Sequence, residues 1–474
     1  MVSEEEFISR YGKESDSVEY KAASSGIPHD FWETYSAFAN TSGGTVILGV
    51  SEDQSNGKFT VTGIKSPETS MKILWDTLNN PSKVSVNLLR NEDVSVEDVD
   101  GKKVIVIHVP HAYREDKPVY LNGNMDQHTY KRNHEGDYRC RKEEVRSMMR
   151  DSYNGDPDNL PIKEIDGNDC FVSEDITRFT ALLRGANHTN RLAELPSDDV
   201  LVMIGAASKE GNKLHPTRAG LLMFGRIQCI LRVFPDFRLD YREETGDSRW
   251  SYRLNSDDFG SELNVFRFLT EVTERLSGKI GVPFKLDGVF RSNESEVLIS
   301  VREALVNTLM HADYRGIGGI SVVYDGKKIT FANPGGMRIP VEKAKAGGVS
   351  DPRNPAMMRM CRNIGPAEKE GSGISSIFRS VEDNVLLDAD ITEESDPLRT
   401  VTVLTFMPPG KVTSSVGVKI LRYVSKHPNA SIKEISAEIG VSVRTISRVV
   451  GELIESGQLI RQGNNRKNIW IVSL

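Results

Sequence analysis

The stretch Val301–Arg315, VREALVNTLMHADYR, decides how the middle of this chain folds. Its apolar residues, Leu305 and Leu309 among them, recur at helical spacing and predict a helix. Glu303 and Asn307 stand four positions apart, so they share one face of that helix. A carboxylate beside an amide can hold a water molecule and a divalent cation. The pattern therefore raises the possibility of a nucleotide pocket.

Two glycine-rich signals follow this helix along the chain. They are NPGG at Asn333–Gly336 and GSGI at Gly371–Ile374. Because glycine lacks a side chain, its backbone can come close to a ligand, and such turns can cradle phosphate groups. With the carboxylate and the amide, they predict a nucleotide-sensing core rather than a plain packing domain.

Length and composition set broad limits. At 474 residues the chain is long enough for about three domains, and 38% hydrophobic and 27% charged residues fit a soluble globular protein. No apolar run approaches the roughly 18 residues of a membrane span, and the acidic start MVSEEEF does not resemble a secretory signal. Four cysteines lie far apart without a CxxC pair: Cys140, Cys170, Cys229 and Cys361. This spacing predicts neither structural zinc nor a disulfide framework, and we expect the cytoplasm.

Charge and loop residues suggest where the domains end. A loop-like run, DSYNGDPDNLP, follows Arg150, and a linker pattern begins at Met407–Gly410. Although the whole chain carries a net charge of −7, the segment Lys411–Leu474 has ten Lys/Arg and four Asp/Glu, a net +6. A basic terminal module on an acidic body indicates nucleic-acid binding at that end.

The last segment has the pattern of three helices and two strands. A helix is predicted at Val416–Ser425, and Ser431 and Ser442 are suited to cap the next two, with Gly440 in the turn between them. The run GQLIRQGNNRKNIWIV then predicts a strand, a basic tip and a second strand. Over about 60 residues this order resembles a winged helix-turn-helix.

In such a module the last helix enters the major groove of duplex DNA and the wing reaches the flanking phosphates. The predicted groove residues are Arg444, Thr445 and Arg448, and the predicted phosphate contacts are Arg461, Arg466 and Lys467. The alternative is that the module mediates protein contacts, as many winged helices do.

The middle segment carries a longer motif. It fits R-E-A-L-x-N-x-L-x-H-x-D-Y through Arg302, Glu303, Ala304, Leu305, Asn307, Leu309, His311, Asp313 and Tyr314. NPGG, Arg353-Asn354-Pro355 and Glu370–Ile374 follow in order. The motif resembles GHKL-type ATPase folds, and more narrowly the divergent "RecG-like C-terminal" version in bacterial transcriptional regulators.

That resemblance implies an α/β sandwich that binds ATP with Mg²⁺. Asn307 would hold the metal between the phosphates, and Glu303 would orient or activate a water molecule. The predicted nucleotide-binding residues are Asn307, Asn333, Gly335, Gly336, Gly371 and Gly373. Active relatives have Asp where this chain has Asn333, so adenine selectivity and hydrolysis are in question; the alternative is a retired fold kept for packing or dimerisation.

The first segment also carries a family pattern. Glu14, Glu19, Tyr20 and Lys21, followed by SAFANTSGGTVILGVSED at Ser36–Asp53, resemble the Schlafen AlbA-like domain. One interpretation is nucleic-acid binding through the basic stretch Tyr130–Arg150. Another is RNA cleavage with Mg²⁺ or Mn²⁺ held by Glu14, Glu19 and Asp53 or Glu52. In a third interpretation, Glu19 and Lys21 pair with neighbouring residues and only stabilise the fold.

The sequence therefore predicts an α+β multidomain protein. The domains are an AlbA-like α/β domain at 1–150, a GHKL-like domain with an accessory part at 158–410 and a winged helix-turn-helix at 411–474. The leading hypothesis is a homodimeric bacterial transcriptional regulator that binds operator DNA and a nucleotide effector, with at most weak ATPase activity. The alternative is a metal-dependent ribonuclease, with RNA as its partner, that acts in stress or phage defence. Helicase-like ATP use is disfavoured, because no G-x4-G-K-[ST] loop occurs.

Overall fold

A computed structural model describes most of the chain. The described residues are 2–53, 57–153, 155, 157–186, 195–244, 251–258, 260–280, 296–364, 373–383, 386–406, 415–464 and 467–472. They form two compact units, Met1–Gly155 and Asp156–Leu474. Within these ranges no helix has the length and apolar character needed to cross a membrane.

The first unit mixes helices and strands. Its helices are α1 (Glu4–Tyr11), α2 (Phe31–Asn40), α3 (Pro67–Leu78) and α4 (Lys142–Asp151). Its strands are β1 (Val18–Lys21), β2 (Gly44–Leu48), β3 (Val50–Asp53), β4 (Lys58–Val61), β5 (Val94–Val99), β6 (Lys102–Val109), β7 (Tyr130–Asn133) and β8 (Gly136–Arg139). The main sheet has the order β1-β2-β6-β5, with β1 parallel to β2.

The turn from α2 into β2 explains its glycine pair without a ligand. Gly43 has a positive φ of 79°, and a Cβ there would lie 2.8 Å from the Val109 carbonyl oxygen. A Cβ on Gly44 would lie 2.7 Å from the ring of buried Phe38. The helix and the strand therefore pack closely because both residues are glycine. Gly49, with a φ of 100°, separates β2 from β3.

The second unit begins with an α-rich part and continues into a large sheet. Its helices are α5 (Gly167–Cys170), α6 (Ser173–Ala186), α7 (Ser197–Met203), α8 (Arg218–Phe224), α9 (Ile227–Val233), α10 (Val265–Lys279), α11 (Glu296–Met310), α12 (Val341–Ala346), α13 (Pro355–Ile364) and α14 (Gly373–Glu382). Its strands are β9 (Ala207–Glu210), β10 (Lys213–Pro216), β11 (Leu239–Glu243), β12 (Tyr252–Asn255), β13 (Ile320–Tyr324), β14 (Lys328–Pro334), β15 (Leu386–Ser395) and β16 (Leu398–Phe406).

Six of these strands form one sheet in the order β12-β11-β13-β14-β16-β15. Only the β11–β13 pair is parallel. Alternate residues point to opposite faces, and one face packs against helices through fully buried Tyr241 and Phe331. α11, predicted from residue 301, begins at Glu296 and buries Leu305 and Leu309 against this face.

The same unit ends in the predicted three helices and two strands. They are α15 (Ser415–Lys426), α16 (Ile432–Ile439), α17 (Val443–Glu455), β17 (Leu459–Asn464) and β18 (Lys467–Val472). Ser431 and Ser442 accept backbone hydrogen bonds as helix caps, and Gly440 ends α16 with φ 72°. The caps form because each serine oxygen meets an otherwise unpaired N–H group of the first turn.

One pair of cysteines departs from the sequence expectation. A disulfide joins Cys170 at the end of α5 to Cys229 in α9, 59 positions apart. Both residues are buried in the core of the second unit. Cys140 and Cys361 are free and buried. The chain therefore has one bridge where no disulfide was expected, because the fold brings together two thiols that no local motif relates.

Candidate functional site

A cavity in the second unit is formed by α11, the end of β14, α13 and the beginning of α14. The predicted catalytic residue Glu303 and four of the predicted nucleotide-binding residues line it. They are Glu303, Asn307, Asn333, Gly336 and Gly373. These residues come from three separate segments of the chain, so their convergence depends on the sheet and its helices.

Glu303 and Asn307 face the cavity as a pair. The amide Nδ2 of Asn307 donates to Oε1 of Glu303 across 3.1 Å. That contact leaves Oδ1 of Asn307 as the atom suited to a hard cation. A Cβ on Gly373 would lie 3.3 Å from the same Glu303 oxygen, so α14 begins directly beside the carboxylate.

The NPGG turn forms another wall. Asn333 is buried, its Nδ2 donates to the Pro334 carbonyl across 3.2 Å, and Thr400 lies opposite it on β16. Gly335 has φ 94°, and a Cβ there would lie 2.8 Å from the guanidinium carbon of Arg353. This position requires glycine both for its backbone conformation and for the close approach. Oδ1 of Asn333 is left to accept a hydrogen bond from a ligand.

A cationic side of the cavity was not predicted as a site. Arg338, Arg353 and Arg362 line it. Arg353 donates to the His311 carbonyl across 2.9 Å, and Arg338 donates to the Pro352 carbonyl across 3.1 Å. Burial, with Arg353 and Arg338 nearby, lowers the pKa of His311 to about 4, so its imidazole is neutral at pH 7.

Apolar side chains line the cavity too. They are Ile339, Ala344, Val349, Met358, Ile374, Ile377 and Ile391. Apolar walls with a few fixed polar groups are typical of small-molecule sites. Residues 365–372, including the predicted phosphate-binding Gly371, lie outside the described part of the chain.

The chemical types of these groups are suited to a nucleotide and its cation. The arginines and the beginning of α14 suit phosphate oxygens, the Asn307 amide oxygen suits Mg²⁺, and the apolar residues suit a base. The Glu303–Asn307 pair, NPGG and GSGI carried a site signal in the sequence, and Arg353 belonged to the motif without a predicted role. Arg338 and Arg362 carried no signal, and the fold brings all three arginines to the cavity of Glu303.

The predicted carboxylate site of the first unit has a different character. Glu19 accepts from Lys21 Nζ at 2.9 Å and from Arg132 Nη2 at 2.7 Å. The Glu14 carboxylate accepts from the Tyr20 backbone N–H at 3.1 Å. Among the described residues no group of three acidic, histidine or cysteine side chains is arranged to hold a metal ion. The side chain of Asp53 lies outside the described part.

The predicted metal triad is therefore not assembled by the described residues. Two cations already neutralise Glu19, and a metal ion would have to displace them. Burial raises the pKa of the Glu14 carboxyl, with Glu19 and Glu52 adding to the effect. The pairing of Glu19 with Lys21, which was the structural interpretation, is what the fold contains.

Much of the basic stretch Tyr130–Arg150 is also engaged internally. Its carboxylate-paired residues are Lys131 and Arg141 with Glu144, Arg132 with Glu19 and Asp137, and Arg150 with Glu143. A surface that binds nucleic acid needs cations whose charge is available to phosphates. The stretch therefore offers less positive charge than its composition indicates.

The predicted DNA-contacting residues lie on α17 and the wing. Arg444 is exposed near the beginning of α17, and Arg448 is exposed and pairs with Glu452 on the same helix. Thr445 is partly buried, and its N–H donates to the Ser442 cap. The Arg461 guanidinium lies 5.7 Å from the centre of the Trp470 ring. Arg466 and the side chain of Lys467 lie outside the described part.

Comparison with known protein families identifies four parts of the chain. Residues 14–141 match the family "Schlafen, AlbA_2", and residues 146–240 match a domain of unknown function, DUF8451. Residues 320–403 match "Putative ATP-dependent DNA helicase recG C-terminal". Residues 417–460 match "Winged helix-turn-helix DNA-binding". The predicted resemblances are thus confirmed in their predicted order, and the chain is an α+β multidomain protein with a C-terminal winged helix.

Two solved structures are similar to this chain. The crystal structure of the DIP2311 protein from Corynebacterium diphtheriae is 18% identical, with a TM-score of 0.40, over 96% of this chain and 92% of that one. The solution structure of the N-terminal domain of a putative ATP-dependent DNA helicase RecG-related protein from Nitrosomonas europaea is 26% identical, with a TM-score of 0.22, over 28% of this chain and 88% of that one. No curated protein matches the chain.

Proposed function

We propose that this protein is a DNA-binding transcriptional regulator whose GHKL-like core binds ATP or a related nucleotide. One observation carries the proposal: Glu303, Asn307, Asn333, Gly336 and Gly373 line one cavity, together with three arginines. Carboxylate, amide, cations and close-approaching glycines are what a nucleotide with Mg²⁺ requires. The winged helix is the part that would bind operator DNA.

A direct connection joins the cavity to the winged helix. Arg422 of α15 donates to the Val381 carbonyl near the end of α14 and to the Leu387 carbonyl of β15, both across 2.7 Å. The side chain of Leu387 is fully buried in the core of the winged helix. α14 begins at the cavity with Gly373, and its last turn accepts the hydrogen bond from Arg422 of α15. A shift of α14 on nucleotide binding would therefore reach the DNA-binding module.

The core would act as a sensor with at most weak ATPase activity. Asn333 replaces the usual Asp, and its Oδ1 would accept from the base without the charge of a carboxylate. Glu303 would orient water, as the resemblance implies. The protein would be a homodimer if its operator is palindromic, since protein symmetry then mirrors DNA symmetry. The cytoplasm is the compartment we propose, because there the protein would meet DNA.

Nucleotide binding is tested by titrating the full chain with ATP and Mg²⁺ in a calorimeter. Asn307→Ala removes the amide oxygen proposed for the metal, and we expect binding to weaken at least about tenfold, a loss of about 1.4 kcal/mol. The matched control is Asn168→Ala, on the exposed surface of the same unit. Equal binding by wild type and Asn307→Ala would place any bound nucleotide elsewhere.

DNA binding is tested with the full chain and duplex fragments at several salt concentrations. We expect affinity to fall as salt rises, since counterions are released when cations meet phosphates. Arg444→Ala should weaken specific binding by about 1–3 kcal/mol if the side chain reads a base. Arg232→Ala, an exposed arginine on α9, should change little. Absence of salt-dependent duplex binding would favour a winged helix that contacts proteins.

A further inference from the structure

The six-stranded sheet has a second, charged recess on the face opposite the nucleotide cavity. Thr400 and Thr402 of β16 line the nucleotide cavity, whereas Arg399 lines the recess. Neighbouring strand residues point to opposite faces, so the sheet itself separates the two sites. We propose that this recess binds a small multivalent phosphate anion of the pyrophosphate type, independently of the nucleotide cavity.

The recess is unusually rich in arginine. Four arginines line it, from the beginning of β11 to β16: Arg238, Arg242, Arg253 and Arg399. Only two carboxylates, Asp240 and Glu244, line it with them. The lining therefore carries a net charge of about +2 at neutral pH. The space is about 500 Å³, and polar groups form most of its surface.

Three of these arginines are held in place by carboxylates. Arg253 Nε lies 2.9 Å from Asp240 Oδ1, and Arg242 Nε lies 3.4 Å from Asp240 Oδ2. Arg238 Nε lies 3.0 Å from Asp257. Ion pairing at one edge of a guanidinium orients its remaining N–H groups, and arginine presents five donors in a fixed plane. The carboxylates thus fix the orientation of these three arginines.

Arg399 is held less firmly than the other three arginines, although Glu394 lies opposite it in the β15–β16 pair. Its buried Nε has no hydrogen-bond partner among the described residues. Its Nη2 donates only at 3.3 Å to the Gly319 carbonyl and at 3.5 Å to Ser321 Oγ. Burial lowers the pKa of the Arg399 guanidinium, and the nearby Glu394 carboxylate raises it in part. An anion in the recess would give the Nε–H group of Arg399 an acceptor.

The chemistry favours a compact phosphate over other anions. Guanidinium groups bind phosphate through paired N–H···O contacts, and a pyrophosphate offers several such oxygens. An extended polyanion is less suitable, because Asp240, Glu244 and Asp257 stand beside the arginines and would repel phosphates that continue past the recess.

The test is calorimetric titration of the full chain with sodium pyrophosphate. We expect wild type to bind and Arg399→Gln to bind at least about tenfold more weakly. The matched control Arg232→Gln and the cavity variant Asn307→Ala should both bind as wild type does. The Asn307→Ala variant distinguishes pyrophosphate binding in the recess from nucleotide binding in the cavity, so one proposal can fail while the other stands.

A second variant covers the case in which Arg399→Gln unfolds. Arg399→Lys keeps the charge but loses the planar fork, and it should bind with intermediate affinity while melting as wild type does. Absence of pyrophosphate binding in wild type, or equal affinity in wild type and a folded Arg399→Gln, would overturn the proposal. Loss of duplex DNA binding in Arg399→Gln without any pyrophosphate binding would also overturn it, in favour of a nucleic-acid surface.

Discussion

The cavity beside α11 and the Glu14–Glu19 cluster start from similar sequence patterns and end with opposite characters. Each was predicted from carboxylates near a glycine turn. In the second unit, Glu303 and Asn307 face a cavity. In the first, Glu19 is held by Lys21 and Arg132 within the protein. Carboxylates at the right spacing indicate a site only when the fold places them on the wall of a cavity.

The difference lies in what each region does with charge. The side chain of Arg132 is 1% exposed, pairs with Asp137 at 2.9 Å as well as with Glu19, and stacks on Phe38 at 5.0 Å. Ion pairs that are buried in this way cost desolvation energy, and removing one partner leaves an uncompensated charge. The cluster of the first unit is therefore part of its stability, whereas the Glu303–Asn307 pair lines the wall of a cavity.

The largest effect should come from breaking the cluster. Arg132→Met keeps much of the side-chain length but leaves Glu19 and Asp137 without their shared cation, and we expect the first unit to lose about 3–5 kcal/mol of stability. Chemical denaturation followed by hydrogen exchange in β1 and α2 would measure this. Arg139→Met is the control: this exposed arginine donates to the exposed Gln127 across 3.1 Å, and its loss should cost below about 1 kcal/mol.

If Arg132→Met lost little stability, the proposed contrast between the ion-paired cluster and the cavity would be contradicted. If that variant also gained Mn²⁺-dependent cleavage of structured RNA, the carboxylates would have to be counted as a masked metal site. Retained stability without cleavage would mean that solvent compensates Glu19 as well as Arg132 does.

The contrast also shows what could be predicted from the sequence. Local patterns were sufficient for α11, for the caps Ser431 and Ser442 and for the Gly43–Gly44 turn, because each depends on neighbours within a few residues. The partner of Glu19 could not be predicted, since Arg132 is 113 positions away. The same holds for the Cys170–Cys229 bridge.

Site residues follow the same rule. The motif predicted the side of the cavity on which Glu303 and Asn307 lie. It included Arg353 without a site role, and the positions of Arg338 and Arg362 came only from tertiary structure. Arg399 had no sequence signal, because its significance depends on strands β11, β12 and β13 that carry the other polar groups of the recess. Which residues form ion pairs, and which charged groups keep donors or acceptors for a ligand, is decided by the tertiary structure.

Acidification should change the stability of the two regions in opposite directions: His311 should destabilise the second unit, and Glu14 should stabilise the first. His311 has its pKa lowered to about 4 from an ordinary 6.5, so the unfolded chain binds more protons between these values. Stability from neutral His311 is complete above about pH 6.5 and is lost as pH falls toward 4, by at most roughly 3 kcal/mol. The raised pKa of Glu14 has the opposite sign, because there the folded state binds the extra proton.

Hydrogen exchange at pH 7 and pH 5 separates the two responses. Protection in α11 should fall on acidification in wild type, and His311→Asn should remove most of that pH dependence. Glu14→Gln should leave the response of α11 unchanged, since Glu14 belongs to the other unit. An unchanged pH response of α11 in His311→Asn would mean that other groups control it.

The smallest expected effect concerns communication rather than stability. Arg422→Ala removes two hydrogen bonds from the winged helix to α14 and β15, and we expect it to cost about 1–2 kcal/mol. Comparing duplex affinity with and without ATP and Mg²⁺ in this variant isolates the connection. Binding to each ligand alone should persist, while the change in DNA affinity caused by nucleotide should shrink, because α14 no longer holds α15.

The first unit supplies the matched control for this prediction. Arg10→Ala removes an exposed contact with Glu97 at 3.1 Å and should leave the coupling between nucleotide and DNA as in wild type. Equal coupling in Arg422→Ala and Arg10→Ala would mean that the signal passes through another contact, such as the 2.9 Å pair between Lys426 and Asp388. If coupling shrinks only in Arg422→Ala, the cavity differs from the Glu14–Glu19 cluster in a further way. A ligand in the cavity then affects the winged helix through the hydrogen bond from the Arg422 side chain to the Val381 carbonyl.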